Sequence, residues 1–150
     1  MTSQDVEIKP NVGLGDLKFG MKIKPFIEKF GEPEELENID EDEDLTTILH
    51  YWTKGLSAFF YGLSDQVLAG IESDHSDLVL YGEKILGKSE DEIVTMMKKH
   101  GHESYEVEME GPDKRLSFDI SMMDFFFRNG KLAYMNFGVL IDEQGRIEAV

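Results

Sequence analysis

Three short stretches of this sequence carry residue types that could perform chemistry, and the first is an acidic run. Asp40, Asp42 and Asp44 stand at the alternate spacing that opens a calcium-binding loop. Such a loop needs glycine at its sixth position and glutamate at its twelfth, where this chain has Leu45 and Tyr51. The run therefore predicts a solvated charged segment and no specific calcium site.

The second stretch is His100-Gly101-His102-Glu103, whose imidazoles and carboxylate are possible metal ligands. Its spacing matches no established ligand pattern, and a histidine next to a glycine is typical of a helix end. We expect a helix terminus here, with no metal.

The third stretch contains two serines that follow a glycine by two positions, Ser57 and Ser64. Both segments lack the second glycine of a nucleophile elbow, and Gly13-Leu14-Gly15 is followed by no helix that could make it a phosphate loop. The chain has no cysteine, which excludes disulfides, thiolate metal sites and a cysteine nucleophile. We predict no catalytic residue and no cofactor, so we expect that the protein is not an enzyme.

The charge balance points to a type of partner. The 150 residues include 31 acidic and 15 basic side chains, for a formal net charge of −16. Such a field repels nucleic acid and anionic membranes and attracts basic proteins. No secretion signal is visible, and no stretch approaches the roughly 20 apolar residues that span a bilayer. These features predict a cytoplasmic protein that binds neither nucleic acid nor membrane.

The elements that would position such residues occur twice. In the first half, Gly20 precedes a short amphipathic helix with Phe26 and Phe30 on one stripe, and Gly31 and Pro33 end it. Residues 32–44 include nine acids and no base, which predicts a loop. Strand-like runs follow at 47–53, 56–61 and 67–72.

In the second half, Ser89 and Glu92 form a capping box that begins the second helix, and Gly101 ends it. Residues 102–113 are polar and read as a second loop. Three strand-like runs then follow, at 115–121, 124–128 and 132–137, the last two separated by a hairpin turn at Asn129-Gly130.

A shift of 67 residues superimposes the two halves. It places Gly20 on Gly87 and Leu49 on Leu116, and the aromatic residues Tyr51, Phe59 and Phe60 on Phe118, Phe126 and Phe127. One such half cannot cover its sheet alone, whereas two side by side can. We predict a single α+β domain, 1–150, built from two repeats at about 14–81 and 82–140. Two α-β-β-β units would form one curved antiparallel sheet with both helices packed on one face.

The first motif, from Gly20-Met21 to Gly31-Glu32-Pro33, resembles the signature of the superfamily that holds the beta-lactamase inhibitor protein. It is also similar to the small outer-membrane lipoprotein of the barrel-assembly machinery. The second copy, Gly87 to Gly101, is longer and lacks the closing proline, and the inhibitor is secreted and disulfide-bonded whereas this chain has no cysteine. The resemblance implies a fold and binding through a concave sheet face, and not beta-lactamase as the target.

Strand alternation predicts which side chains lie on the helix-free face. Leu116, Phe118 and Ile120 would face the core, and the repeat transfers this phase to the other strands. Aromatic residues and arginine are enriched at binding hot spots, and the predicted partner-binding set contains both kinds. The set is His50, Trp52, Phe59, Tyr61, Phe126 and Arg128.

These features predict a protein-binding module, and an acidic intracellular immunity or inhibitor protein against a basic partner fits them best. Five acids would steer that partner electrostatically: Asp40, Glu41, Asp42, Glu43 and Asp44. Two alternatives use the same aromatic face. One is a small-ligand or peptide-binding domain, and the other is a structural protein that forms a homodimer or larger homo-oligomer.

Overall fold

A computed structural model describes residues 6–41, 44–62, 65–142 and 145–148. The described part is an α+β fold that consists mostly of sheet, which confirms the predicted class. In chain order its elements are β1 (Glu7–Lys9), β2 (Gly13–Leu14), β3 (Leu17–Lys18), α1 (Ile23–Phe30), β4 (Glu35–Glu41), β5 (Asp44–Tyr51), a 3-10 turn (Trp52–Lys54), β6 (Leu56–Tyr61), β7 (Val67–Ser73), β8 (Val79–Leu80), β9 (Glu83–Lys84), α2 (Glu90–Lys99), β10 (Glu106–Glu110), β11 (Asp113–Phe118), β12 (Met123–Arg128) and β13 (Lys131–Gly138).

The larger sheet has eight strands among the described residues, in the order β10-β11-β12-β13-β7-β6-β5-β4. All neighbours in it are antiparallel. It therefore consists of two four-stranded meanders joined at the centre by the pair β13 and β7. A smaller sheet has the order β3-β2-β1-β8-β9 and brings together short strands from both halves of the chain.

The prediction of three strands in each half, preceded by a loop, was wrong. The segment 32–44 contains β4 and the start of β5, and the polar segment 102–113 contains β10 and the start of β11. Both missed strands lie at the edges of the sheet, so each pairs with one neighbour, and Glu35 and Glu37 of β4 and the three glutamates of β10 are exposed. Charged edge strands are a known way to prevent sheets from pairing edge to edge. The acidic composition of these segments is thus that of edge strands and not of loops.

The internal repeat is visible in the backbone at the same shift of 67 residues. β6 and β12 have corresponding bounds, and a register irregularity between Phe59 and Phe60 recurs between Phe126 and Phe127. An isolated bridge joins Lys22 to Val67 at the start of β7, and another joins Ser89 to Lys131 at the start of β13, where the offset between the halves has fallen to 64 residues. The two halves therefore share local distortions as well as element order.

One continuous hydrophobic core contains buried residues of both helices and of both meanders. In α1, the ring of Phe26 lies 6.0 Å from that of Tyr51 and 5.2 Å from that of Phe60. The capping box that begins α2 is confirmed: Ser89 Oγ accepts from the Glu92 N–H at 3.2 Å, and Glu92 Oε1 accepts from the Ser89 N–H at 3.1 Å. No helix in the described part of the chain is long and apolar enough to cross a membrane.

Candidate binding face

The side of the larger sheet opposite the core side chains is called the outer face here. Strand registers place two rows of residues across it. A polar row runs in register through His50, Ser57, Glu72, Asn136, Asp124 and Ser117. A second row runs through Ile48, Phe59, Gly70 and Gly138, so its centre has no side chain. The outer face is therefore polar along one line and depressed at the junction of the two meanders.

The strand register places five of the six predicted partner-binding residues on the outer face. The sixth, Trp52, is not on a strand and lies at the edge of that face. Trp52 was expected on a strand but lies in the 3-10 turn after β5, where its side chain is 56% exposed. Its ring stacks on His50 at 4.9 Å with an interplanar angle of 14°. The exposed indole is thus held at the rim of the outer face by the imidazole beneath it.

Phe126 was expected to be exposed and is instead buried, at 5% exposure. Its ring stacks on Tyr134 of the neighbouring strand at 4.4 Å and 7°, and its other cross-strand neighbour is Arg115. Sheet side chains next to each other in register cover one another, and the sequence alone does not reveal which neighbours are large. Phe126 is therefore covered by its cross-strand neighbours, contrary to the expected exposure, and its role in binding stays a prediction.

Arg128 is fixed by a charged network that the sequence did not indicate. Its guanidinium donates to both oxygens of Asp113, at 2.8 and 3.0 Å, and the Tyr134 hydroxyl also donates to Asp113, at 3.2 Å. The hydrogen bonds from Arg128 are the main reason that the pKa of Asp113 lies below its usual range. Burial, followed by the charge of Asp113, raises the pKa of Tyr134 to about 12. Arg128 thus already has a partner in the free protein.

Because of this network, we expect the stability that the protein loses when the charge of Asp113 is removed to depend on pH. A carboxylate whose folded pKa is lowered stabilises the fold fully above its unfolded pKa of about 3.9 and loses that contribution as pH falls through the folded pKa. We expect Asp113→Asn to lower the melting temperature at pH 7, with the deficit shrinking below about pH 4. Melting curves between pH 7 and pH 2 would measure it, with the exposed Asp16→Asn as the control. A deficit that stays constant over this range would contradict the assignment.

The second arginine of the outer face is also paired. Arg115 of β11 forms ion pairs with Glu108 and Glu110 of the edge strand β10. At the opposite edge, Glu37 of β4 contacts Nε2 of His50 at 3.1 Å, while Nδ1 of His50 lies 2.8 Å from Ser57 Oγ. Glutamates therefore border the outer face at both edges.

The chain Ser57–His50–Glu37 has the residue types of a hydrolytic triad. Ser57, however, lies within β6, which pairs with a strand on each side. Its neighbouring backbone N–H groups are engaged in those ladders and are not available to hold an oxyanion. We interpret the chain as cross-strand hydrogen bonding that orients His50 under Trp52.

The histidine pair singled out in the sequence surrounds one tyrosine. His100 stacks on Tyr81 at 3.8 Å, and Nε2 of His102 lies 2.6 Å from the Tyr81 hydroxyl. Burial, followed by the charge of His100, lowers the pKa of His102. Among the described residues no group of three or more potential ligands could hold a metal ion.

Of the predicted steering residues, Asp42 and Glu43 lie outside the described residues, and the backbones of Asp40, Glu41 and Asp44 lie in β4 and β5.

The depression at the junction was not foreseen. It is a groove of about 290 Å³, lined by Phe59, Gly70 and Gly138 and, at its polar end, by Asp119, Asp124 and Asn136. A second depression of about 370 Å³ adjoins it at Phe59 and Gly70 and has Tyr61 and residues 139–141 in its wall. Two glycines paired across neighbouring strands are the sequence signal for such a groove, but the pairing is visible only once the register is known.

Comparison with known proteins gives a fold and no family. No family model and no curated protein matches the sequence. A DUF4309 family protein (YjgB) of Bacillus subtilis has a similar structure, with a TM-score of 0.51 and 14% identity over 91% of this chain and 90% of that one. An extracellular protein of Bacillus anthracis containing an SCP domain matches with a TM-score of 0.45 and 13% identity over 78% of this chain, which spans 42% of that protein's length. At these identities the YjgB match indicates a shared fold alone.

Proposed function

We propose that the protein is a binding module that holds a basic protein partner on its outer face. The observation that carries this proposal is the arrangement of that face: a largely exposed Trp52 and the rings of Phe59 and Tyr61 lie between two edge strands rich in glutamate. Exposed aromatic rings are the usual anchors of protein interfaces, and flanking charge sets the encounter rate and the choice of partner.

The charges of the outer face favour a cationic partner. The two arginines that could have attracted an acidic partner are engaged with Asp113 and with Glu108 and Glu110. At the opposite edge, Glu35 and Glu37 of β4 are exposed. With a net charge of −16, the protein would attract a basic partner over a Debye length of about 8 Å at physiological salt.

Within this proposal, an intracellular immunity or inhibitor protein against a basic toxin, such as a nuclease, is the role that fits best. A rigid acidic face can occlude a cationic active site by mimicking the polyanion that such a site binds. The role requires a cytoplasmic location, which cell fractionation would test. The resemblance to the beta-lactamase inhibitor superfamily stays a prediction, and its target is not proposed for this chain.

The test is capture of partners from native lysate at low and high salt, followed by binding kinetics with the captured protein. We expect one basic protein in stoichiometric amount. Replacing the acids at 40–44 by their amides should slow association about tenfold at low salt and leave dissociation nearly unchanged, because rim charges act mainly on the encounter. The control replaces five exposed acids outside the outer face: Asp16, Glu28, Glu83, Asp91 and Glu103. An association rate independent of salt, or equal slowing by both sets, would contradict the proposal.

The groove favours a second candidate, a module that binds a small ligand or peptide on the same face. Pockets for such ligands usually measure about 300–1,000 Å³, so these depressions are at the lower end.

A third candidate, a homo-oligomeric structural protein, is distinguished by sedimentation at two protein concentrations. The acidic edge strands oppose self-pairing, since glutamates would then face glutamates.

A further inference from the structure

The groove at the junction of the two meanders combines an apolar wall with an acidic end. Phe59 and Met122 line it, and the floor at Gly70 has no side chain. A Cβ added at Gly70 would meet its nearest neighbours, Phe59 Cβ and the Phe137 carbonyl oxygen, at 3.8 Å, which is ordinary contact. The groove therefore reaches the backbone at Gly70, where an added carbon would make ordinary contacts without a clash.

The polar end of the groove is a row of acceptor side chains that includes one buried oxygen without a hydrogen-bond partner. Asn136 is next to Glu72 on one strand and to Asp124 on the other. Its hydrogen bond with Glu72 requires the amide nitrogen on that side, because a carboxylate only accepts. The carbonyl oxygen Oδ1 then faces the Asp124 side, and it is buried with no hydrogen-bond partner in the described structure. Because this oxygen is closed to solvent, a ligand cannot contact it, but its dipole adds negative potential beside Asp124.

Asp124 itself is poorly solvated. Its pKa is raised, mainly by burial, and a hydrogen bond with Ser117 and the charge of Arg115 offset this only in part. Arg115 is engaged with two glutamates of β10. Asp119, which is exposed, completes the acidic end of the groove. A cation with several N–H donors placed at Asp119 and Asp124 would stabilise the Asp124 carboxylate.

We propose that this groove is the subsite for an arginine side chain of the basic partner. The guanidinium would lie between Asp119 and Asp124, and its aliphatic stem would lie along Phe59 over Gly70. Arginine fits better than lysine because its planar fork of donors can serve two neighbouring acceptors at once. A volume of about 290 Å³, open on the face proposed for binding, suits one side chain better than a drug-sized ligand. This inference rests on the proposed function.

The subsite can be tested without the partner. The probe is N-acetyl-arginine N-methylamide, titrated into the isotope-labelled protein and followed by amide chemical shifts. Its neutral citrulline analogue has the same shape without the charge, and the lysine analogue has the charge without the fork. We expect saturating shifts centred on Phe59, Gly70 and Asn136 with the arginine probe, and affinity at least about tenfold weaker for citrulline.

Two variants and a matched control test whether the arginine probe binds in the groove. Asp124→Asn should weaken the arginine probe about tenfold. Gly70→Val fills the floor and should abolish the shifts, whereas Asp16→Asn makes the same charge change outside the outer face and should leave affinity within about twofold. Circular dichroism would verify that each variant is folded.

The inference is overturned if no saturable shift occurs at the groove up to millimolar probe, if citrulline binds as well as arginine, or if Asp124→Asn and Asp16→Asn behave alike. Equal binding of citrulline would mean that the groove recognises N–H donors without recognising positive charge. Failure here with a basic partner still captured on the outer face would overturn the subsite and leave the proposed function standing. Saturable binding of the probe in the groove with no basic protein captured would overturn the proposed function, and it would favour a small cationic ligand.

Discussion

Gly138→Ala is expected to destabilise the protein by roughly 3 kcal/mol, whereas Gly70→Ala, its direct partner in the sheet, should change stability by less than about 0.5 kcal/mol. The two glycines face each other across β13 and β7, where the two meanders join. A Cβ at Gly138 would lie 2.3 Å from the Ala69 carbonyl oxygen, which is backbone and cannot rotate away. The same carbonyl accepts the N–H of Val139 at 2.9 Å, so relieving the clash also disturbs that hydrogen bond.

Urea denaturation followed by circular dichroism would measure both changes. Gly70→Ala is the matched control because it makes the same chemical change in the same register pair, without positive φ and with contacts no closer than 3.8 Å. It also lowers the conformational entropy of the unfolded chain, which favours the folded state slightly. Similar losses for the two variants would mean that the junction adjusts freely and that its close approach does not hold the two meanders together.

The same junction shows what the sequence could and could not predict. The helix of each half, the three inner strands and the α+β class follow from local patterns: the stripe of Phe26 and Phe30, the Ser89 capping box and the alternation in Leu116-Ser117-Phe118. The edge strands were missed because their acidic composition opposes strand formation locally. Pairing with β5 and β11 outweighs that tendency, and this is a tertiary effect.

The candidate site also has a part that local sequence patterns predict and a part that they do not. Strand phase placed His50, Phe59 and Tyr61 on the outer face, because alternation along a strand is a local property. Phe126 was misjudged because its burial depends on Tyr134, a residue on another strand. The groove was missed because it results from Gly70 and Gly138 meeting in register, and the unpaired oxygen of Asn136 depends on Glu72. What was missed depends on cross-strand neighbours, which a single sequence does not specify.

Trp52→Ala is expected to raise the Kd for the captured partner roughly thirtyfold, equivalent to about 2 kcal/mol, mainly through faster dissociation. The indole is the most exposed of the predicted aromatic anchors, and stacking on His50 holds it in place before binding. An aromatic ring that is already ordered loses little conformational freedom on association, so most of its buried area contributes to affinity. Surface plasmon resonance with the captured partner would give both rate constants.

The control is Val12→Ala, which truncates another exposed apolar side chain, 46% exposed and located at the turn between β1 and β2 of the smaller sheet. It should leave Kd within about twofold. Because Trp52 is exposed and lies outside the core, its loss should barely change the melting temperature, and a large drop would mean that the ring has a structural role. If Trp52→Ala and Val12→Ala have equal effects on binding, the partner does not use the outer face. The acidic edges would then act as protection against aggregation alone, since that role requires no partner.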